Sequence, residues 1–288
     1  MNTIPTPPSF AIHASSHAKI NLFLYVTGQR SDGYHTLETL FCPLALADLL
    51  SFSFHTKGIH LTSDDPHLPC DNQNIVWRAA DLFFKKTGIL PQVSIHIAKH
   101  IPVAAGLGGG SSNAATTLTA LNNYYKTPLS PAEIHSLGLL LGADVPFFLQ
   151  PYPAYAEGIG EILTPIRQIV PYWVLLACAP YGVSAADVYK KHTFPLTKSP
   201  KHPMNPLLKD AEFDPVLVLH NDLESVTFQM HPSLRIQKQQ LLHLGARGAL
   251  MSGSGPTLFG LFFSKETAEA AQKAWSGPEK RLLTQLAV

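Results

Sequence analysis

The stretch IPVAAGLGGGSSNAATTLTAL, residues 101–121, sets four glycines and two serines between an extended run and a helix-like one. Glycine gives up its Cβ and leaves backbone N–H groups bare, which suits a loop closing on an anion. The residues that follow, SSNAATTLTALNNYY, read as a helix. The loop would then sit at a helix N-terminus, where the macrodipole and unpaired amides favour phosphate. Two common phosphate loops do not match. No Lys-Ser or Lys-Thr follows the last glycine, as a Walker loop requires, and no acidic residue ends a strand about 20 residues on, as a dinucleotide site requires. Taken alone, the loop reads equally well as a tight turn packing a strand on a helix.

Outward from the loop, the chain has the composition of a globular protein. Of its 288 residues 45% are hydrophobic and 14% charged, so it can bury real cores and is not a disordered chain. The length suggests roughly two domains. A net charge of +1 without a basic block argues against non-specific nucleic-acid binding. The longest apolar runs, such as YWVLLACA at 172–179, fall short of the roughly 20 residues a membrane helix needs. The N-terminal MNTIPTPPSFAIHASSHAKIN carries neither a basic n-region nor a continuous apolar h-region, and has no arginine before Arg30. Cys42, Cys70 and Cys178 are odd in number and far apart, as expected of ordinary thiols in the cytoplasm. The sequence carries no signature of a particular oligomeric state.

The elements mix helix and strand without repeats. FAIHASS, INLFLYVTG, LLSFSFH and QVSIHIA (92–98) read as strands by alternation. NIVWRAADLFFKKTG puts Ile75, Val76, Ala79, Leu82 and Phe83 on one helical face and stops at Gly88. SPAEIHSLGLLLG opens with a capping box, Ser130 with Glu133, and should stop near Gly142, delivering ADVPFFL. The turn-rich QPYPAYAEGIGE at 150–161 is the candidate boundary between an N-terminal domain, 1–155, and a C-terminal domain, 156–288. YWVLLACA reads as a further strand, the proline-rich 193–210 as a surface excursion, and 215–230, 232–244 and 265–276 as helices. The histidine pairs His13/His17 and His96/His100 lie on strand-like segments, where i and i+4 stand about 13 Å apart. That spacing does not make a metal face, and no side chain is named as a metal ligand.

Three stretches in chain order change the weight of the glycine loop: HAKINLFLYVTGQRSDGYHTLETLF at 17–41, PVAAGLGGGSSNAA at 102–115 and MSGSGPTLFG at 251–260. Together they resemble the superfamily of galactose, homoserine, mevalonate and phosphomevalonate kinases. NIVWRAA, LGADVPFFL and NDLE (221–224) sit where that family has them. The resemblance spans roughly 14–265 and departs most in 193–210 and around VSAADVY. It implies a mixed α/β (α+β) two-domain kinase fold with the active site in the inter-domain cleft. The first stretch narrows it to the members that phosphorylate the 2-hydroxyl of a cytidine diphosphate-linked methylerythritol, in the non-mevalonate route to isoprenoid precursors.

Residue by residue, the resemblance implies ATP held by the loop of Pro102, Val103, Ala104, Ala105, Gly106, Leu107, Gly108, Gly109, Gly110, Ser111 and Ser112, with Asn74 and Lys99 on the adenine side. Magnesium would arrive with the nucleotide. Asp144 would be the catalytic carboxylate with Lys19 beside it, while Asn21, Tyr34 and His35 would meet the substrate and Tyr189 stack on its cytosine. The chemistry agrees with these residue types. Phosphoryl transfer needs positioning and charge stabilisation more than covalent help. A weak carboxylate base suffices when the hydroxyl proton leaves late, and an ammonium offsets charge on the moving group.

Each residue also has a plainer reading. Lys19 could be a solvated lysine at a strand edge, Asp144 a turn cap, Tyr34 and His35 the cover of the SDG turn, and MSGSGPTLFG a glycine-bulged core strand. Two other functions stay open. One is a sibling kinase for homoserine or a mevalonate derivative, disfavoured by KIN…GYHTLET and by the lack of Asp or Glu in 113–123. The other is a ligand sensor that has lost catalysis, disfavoured by the presence of both Lys19 and Asp144.

Overall fold

The computed structural model describes residues 12–150, 152–166, 168–191 and 213–288. The proline-rich 193–210 segment lies outside the described residues. The chain divides into two compact units, both discontinuous in sequence. Met1–Ser16, Ala47–His100 and Gly110–Leu149 form one; His17–Leu46, Ile101–Gly109 and Gln150–Val288 form the other. The last change of unit falls at 149/150, where the turn-rich stretch begins, but 17–46 and most of the glycine loop also belong to the second unit.

Two long strands contribute to both units: β1 (Ile12–Gln29) and β2 (His35–Ser53). Where alternation suggested two strands, 10–16 and 20–28, β1 is continuous. The polar residues that interrupt its apolar pattern find partners: Ser16 donates to the Ser112 hydroxyl at 2.7 Å, and the His17 ring donates to the Leu44 carbonyl at 2.9 Å. A break in hydrophobicity is not a break in a strand when each polar group is satisfied.

In the first unit, β4 (Gln92–Ala98) pairs parallel with β3 (Gly58–Ser63) and antiparallel with the end of β2. Val93, Ile95 and Ile97 point inward along β4, the period-two pattern of QVSIHIA. Helix α1 (Ile75–Thr87) buries Val76, Ala79, Ala80, Phe83 and Phe84 and ends at left-handed Gly88. Helix α2 (Gly109–Tyr124) follows the glycine loop. Helix α3 (Pro131–Leu141) starts on the expected capping box of Ser130 and Glu133 and is closed by Gly142, after which α4 (Val145–Leu149) makes a single turn.

The second unit holds β8 (His220–Asn221), parallel to β1 at Phe23 and Leu24, and a β2–β5–β6 run through β5 (Ala154–Glu157) and β6 (Ile162–Pro165). A separate antiparallel sheet has the order β11-β7-β10-β9. Its strands are β7 (Trp173–Cys178), β9 (Gly248–Met251), β10 (Leu258–Phe262) and β11 (Lys280–Gln285). Both faces of β7 are covered. Val174 and Leu176 join one apolar cluster, Leu175 and Ala177 another, which accounts for the unbroken run in YWVLLACA. The second cluster includes Leu234 and Leu241 of α7 (Ser233–His243) and Ala268 and Ala271 of α8 (Lys265–Ala274). Helices α5 (Ala185–Lys191) and α6 (Glu224–Met230) are short. The helix expected over 215–230 is split. Asp214 caps a 3₁₀ turn at Pro215–Val218, and β8 intervenes before α6.

Candidate active site

The glycine loop is held from below and open above. Ile101, Ala105 and Leu107 are buried in an apolar cluster of the second unit, whereas Val103 and Ala104 are exposed. Ala104, Gly106 and Gly108 all take left-handed φ, of 53°, 75° and 70°. Left-handed residues at alternate positions turn backbone N–H groups toward one concave side, which is an anion cradle. Helix α2 then offers its N-terminal amides, with no acidic residue in the first turn to oppose an anion.

Lys19 is bound to that loop through its backbone, its N–H donating to the Leu107 carbonyl at 2.9 Å. Its buried ammonium donates to Asn21 Oδ1 at 2.8 Å and lies 4.8 Å from the centroid of the Phe41 ring. Asn21 is oriented in turn by its amide, which donates to the Thr39 hydroxyl at 2.8 Å. Lys19 is therefore not a solvated strand-edge lysine. It is a charge kept in low dielectric by designated partners, where its field acts most strongly. The 252–255 turn packs on the same residues. The Ser252 hydroxyl donates to the Gly106 carbonyl at 2.9 Å and accepts the Asn21 N–H at 3.4 Å. The MSGSGPTLFG stretch is thus a turn between β9 and β10, not one bulged strand. Ser252 and Phe41 were not singled out by sequence; only the glycines of SGSG hinted at the former.

Of the expected substrate residues of the same unit, Asn21 lies beside Lys19, Tyr34 and His35 lie at the β1–β2 turn, and Tyr189 lies on α5. His35 and Tyr189 of α5 stack, with centroids 5.2 Å apart and an interplanar angle of 23°. Tyr34 is exposed, its backbone fixed by Asp32 Oδ1 on its N–H and by the Arg30 N–H on its carbonyl.

The remaining candidates belong to the first unit. Asp144 is half-buried between Gly142 and α4. Lys99 is paired with buried Asp48 at 2.6 Å, and Asp48 also accepts the His100 N–H and the Asn113 amide. Burial pushes the Lys99 ammonium below its ordinary range, while the Asp48 carboxylate opposes the shift. Asn74 caps α1, accepting the Val76 N–H at 2.9 Å and donating to the Pro69 carbonyl at 2.7 Å. Asn74→Ala is accordingly expected to cost about 1 kcal/mol, seen as a melting temperature ~2–4 °C lower. An unchanged melting temperature would remove the cap from the account, and a parallel rise in the KM for ATP would add the adenine contact to it.

Among the described residues no group of three or more His, Cys, Asp or Glu gathers to hold a metal, and no helix is long and apolar enough to cross a membrane.

Comparison with known proteins gives the family. Residues 74–151 match the N-terminal domain model of the GHMP kinases, and residues 206–279 match their C-terminal model. A relative from Syntrophus aciditrophicus (strain SB), 4-diphosphocytidyl-2-C-methyl-D-erythritol kinase, is 45% identical over 91% of this chain and 94% of its own. A crystal structure of 4-(cytidine 5'-diphospho)-2C-methyl-D-erythritol kinase superposes with a TM-score of 0.79 at 35% identity, covering 96% of this chain and 99% of that one. Homoserine kinase from Cytophaga hutchinsonii, at a TM-score of 0.67 and 17% identity over 100% of this chain and 98% of its own, shares the fold. A glycine cradle leading into a helix, a buried lysine bound to it and both domain models in order lead to one assignment: the chain belongs to the GHMP kinase family, as an ATP-dependent small-molecule kinase.

Proposed function

We infer that the enzyme transfers the γ-phosphoryl group of ATP to the 2-hydroxyl of 4-diphosphocytidyl-2-C-methyl-D-erythritol, in the non-mevalonate route to isoprenoid precursors. The observation that carries this reading lies on one strand pair. β1 holds a buried ammonium, Lys19, and the start of β2 holds His35, against which Tyr189 of α5 stacks. The ammonium suits an anionic group in transfer, and the flat rings suit a base at the far end of the acceptor.

In this mechanism the loop of residues 102–112 binds the ATP phosphates through backbone amides, with Asn74 and Lys99 on the adenine side. The acceptor oxygen attacks Pγ as the bond from Pγ to the bridging oxygen breaks. Asp144 takes the hydroxyl proton, and Lys19 offsets charge on the equatorial oxygens. Asn21 orients Lys19 and meets the acceptor. Magnesium, which neutralises phosphate charge, would be carried by the nucleotide. We assign nucleotide binding to an N-terminal domain, 1–155, followed by a C-terminal domain, 156–288, a division supported by the two family models falling on either side of it. The three free cysteines support a cytoplasmic setting. No nucleic acid or membrane takes part in this scheme.

An ADP-release assay with the cytidyl compound, methylerythritol 4-phosphate, homoserine and mevalonate tests the reading. Turnover is expected with the first alone. Comparable turnover with homoserine or mevalonate would overturn the substrate, and ADP release indifferent to every acceptor would overturn the kinase. We take Tyr34, exposed beside His35, to offer a further aromatic face to the base, and loss of one stacking face is worth ~1–3 kcal/mol. Tyr34→Ala is therefore expected to raise the KM for the cytidyl compound about tenfold and to leave that for ATP unchanged.

A further inference from the structure

The NDLE motif at 221–224 has no part in the chemistry above, yet two of its side chains, Asn221 and Glu224, end on the backbone of the second glycine-rich turn. Asn221 is buried, and its amide donates to the carbonyls of Met251 and Gly253, both at 2.8 Å. Its Oδ1 accepts the Leu223 N–H at 2.9 Å. Glu224 accepts the Met251 N–H at 2.9 Å through Oε1, while Lys238 holds Oε2 at 2.6 Å. From the next turn of α6, the buried Thr227 hydroxyl donates to the Ser254 carbonyl at 3.1 Å. Residues 251, 253 and 254 are each held by a side chain from one seven-residue segment.

The turn needs such a grip. Gly253 and Gly255 take left-handed φ, of 57° and 84°, and glycine has many alternative conformations. Asparagine suits the position because a single amide supplies two donors and an acceptor. An aspartate there would present acceptors to two carbonyl oxygens. What the grip positions is the site itself. The turn brings Ser252 to the Gly106 carbonyl and the Asn21 N–H. A Cβ at Gly253 would stand 3.4 Å from Asn21 Oδ1 and 3.9 Å from Lys19 Nζ.

We propose that Asn221, Glu224 and Thr227 are positioning residues for phosphoryl transfer, clamping the 251–255 turn as the template on which Lys19, Asn21 and Gly106 are set. The clamp rests on the kinase reading for its kinetic consequence and on the hydrogen bonds alone for its structural one.

The test uses the full-length enzyme with Thr227→Val, which keeps the shape and removes the donor, and Thr227→Ser, which keeps the donor. Asn221→Asp is the stronger companion. Thr227→Val is expected to lower kcat about tenfold, the weight of one buried hydrogen bond, with the KM for the cytidyl compound unchanged. Thr227→Ser should restore wild-type kcat, and Asn221→Asp should fall below Thr227→Val. Amide hydrogen exchange supplies a readout independent of substrate: residues 251–255 should exchange faster in the Val and Asp variants, with β7 still protected. Wild-type kcat in Thr227→Val, equal losses in the Val and Ser variants, or unaltered exchange at 251–255 would each overturn the clamp. Failure of the wild-type enzyme to phosphorylate the cytidyl compound would instead overturn the substrate, leaving exchange to decide the clamp.

Discussion

Asp144→Asn is expected to lower kcat by at least ~10²-fold while ATP binds with near wild-type affinity. The substitution is isosteric, so the short connection from Gly142 into α4 keeps its shape. It is also the only acidic side chain in LGADVPFFL. An amide at this position cannot take the hydroxyl proton, and general-base assistance contributes typically ~10²–10⁴-fold. The effect belongs on kcat because the proton moves only in the transition state, while in the proposed mechanism nucleotide binding falls to the glycine loop and the adenine-side residues. Steady-state kinetics with calorimetric titration of ATP separates the two. A variant keeping more than about half of wild-type kcat would remove Asp144 from the base role. Weakened ATP binding with kcat unchanged would make it a nucleotide contact.

The local elements around this residue were legible because their signals are local. A capping box, a proline at the first helical position and a terminal glycine define α3, so the location of Asp144 just past a helix end was readable. The same holds for α1 between Asn74 and Gly88, and for β4, whose alternation is strict. The glycine loop was visible as a loop. That Lys19 is fastened to it was not visible in the sequence, because the Lys19 N–H reaches Leu107 across 88 positions. Strand β8 was missed for a related reason. Two residues carry no periodicity, and His220–Asn221 is a strand only because β1 offers its edge at Phe23 and Leu24. β11 was missed as well, since its half-buried KRLLTQ pattern is too weak to read without β7 beside it. The clamp of Asn221 on Met251 and Gly253 is of the same kind: the motif was seen, but its targets lie thirty residues on and are backbone atoms, which no residue type announces.

Gly106→Ala should damage the enzyme far more than Gly110→Ala, where a Cβ would meet only Ile75 at 3.6 Å. The structure gives Gly106 a close backbone approach that the sequence does not announce. A Cβ on Gly106 would lie 2.4 Å from the Ser252 carbonyl oxygen and 3.0 Å from that of Gly255, and its φ of 75° already disfavours an L side chain. Both obstacles are backbone, and the turn that carries them is tied down by Asn221, Glu224 and Thr227. The glycine loop must therefore move instead, taking with it the amides we propose to cradle phosphate and the carbonyl that anchors Lys19. Misplacement of about 1 Å is enough to cost ~10² in rate, so kcat/KM for ATP is expected to fall by at least that factor. Strain of this kind costs ~1–3 kcal/mol, which should lower the melting temperature by several degrees. Gly245→Ala is the matched control. It has a φ of 96° with nothing within 4 Å of a Cβ, so it carries backbone strain without the collision. The control should lose some stability and keep its kinetics, isolating the close approach at Gly106 as the cause. Wild-type nucleotide affinity and turnover in Gly106→Ala would show that the loop is a structural turn and that the phosphates are held elsewhere.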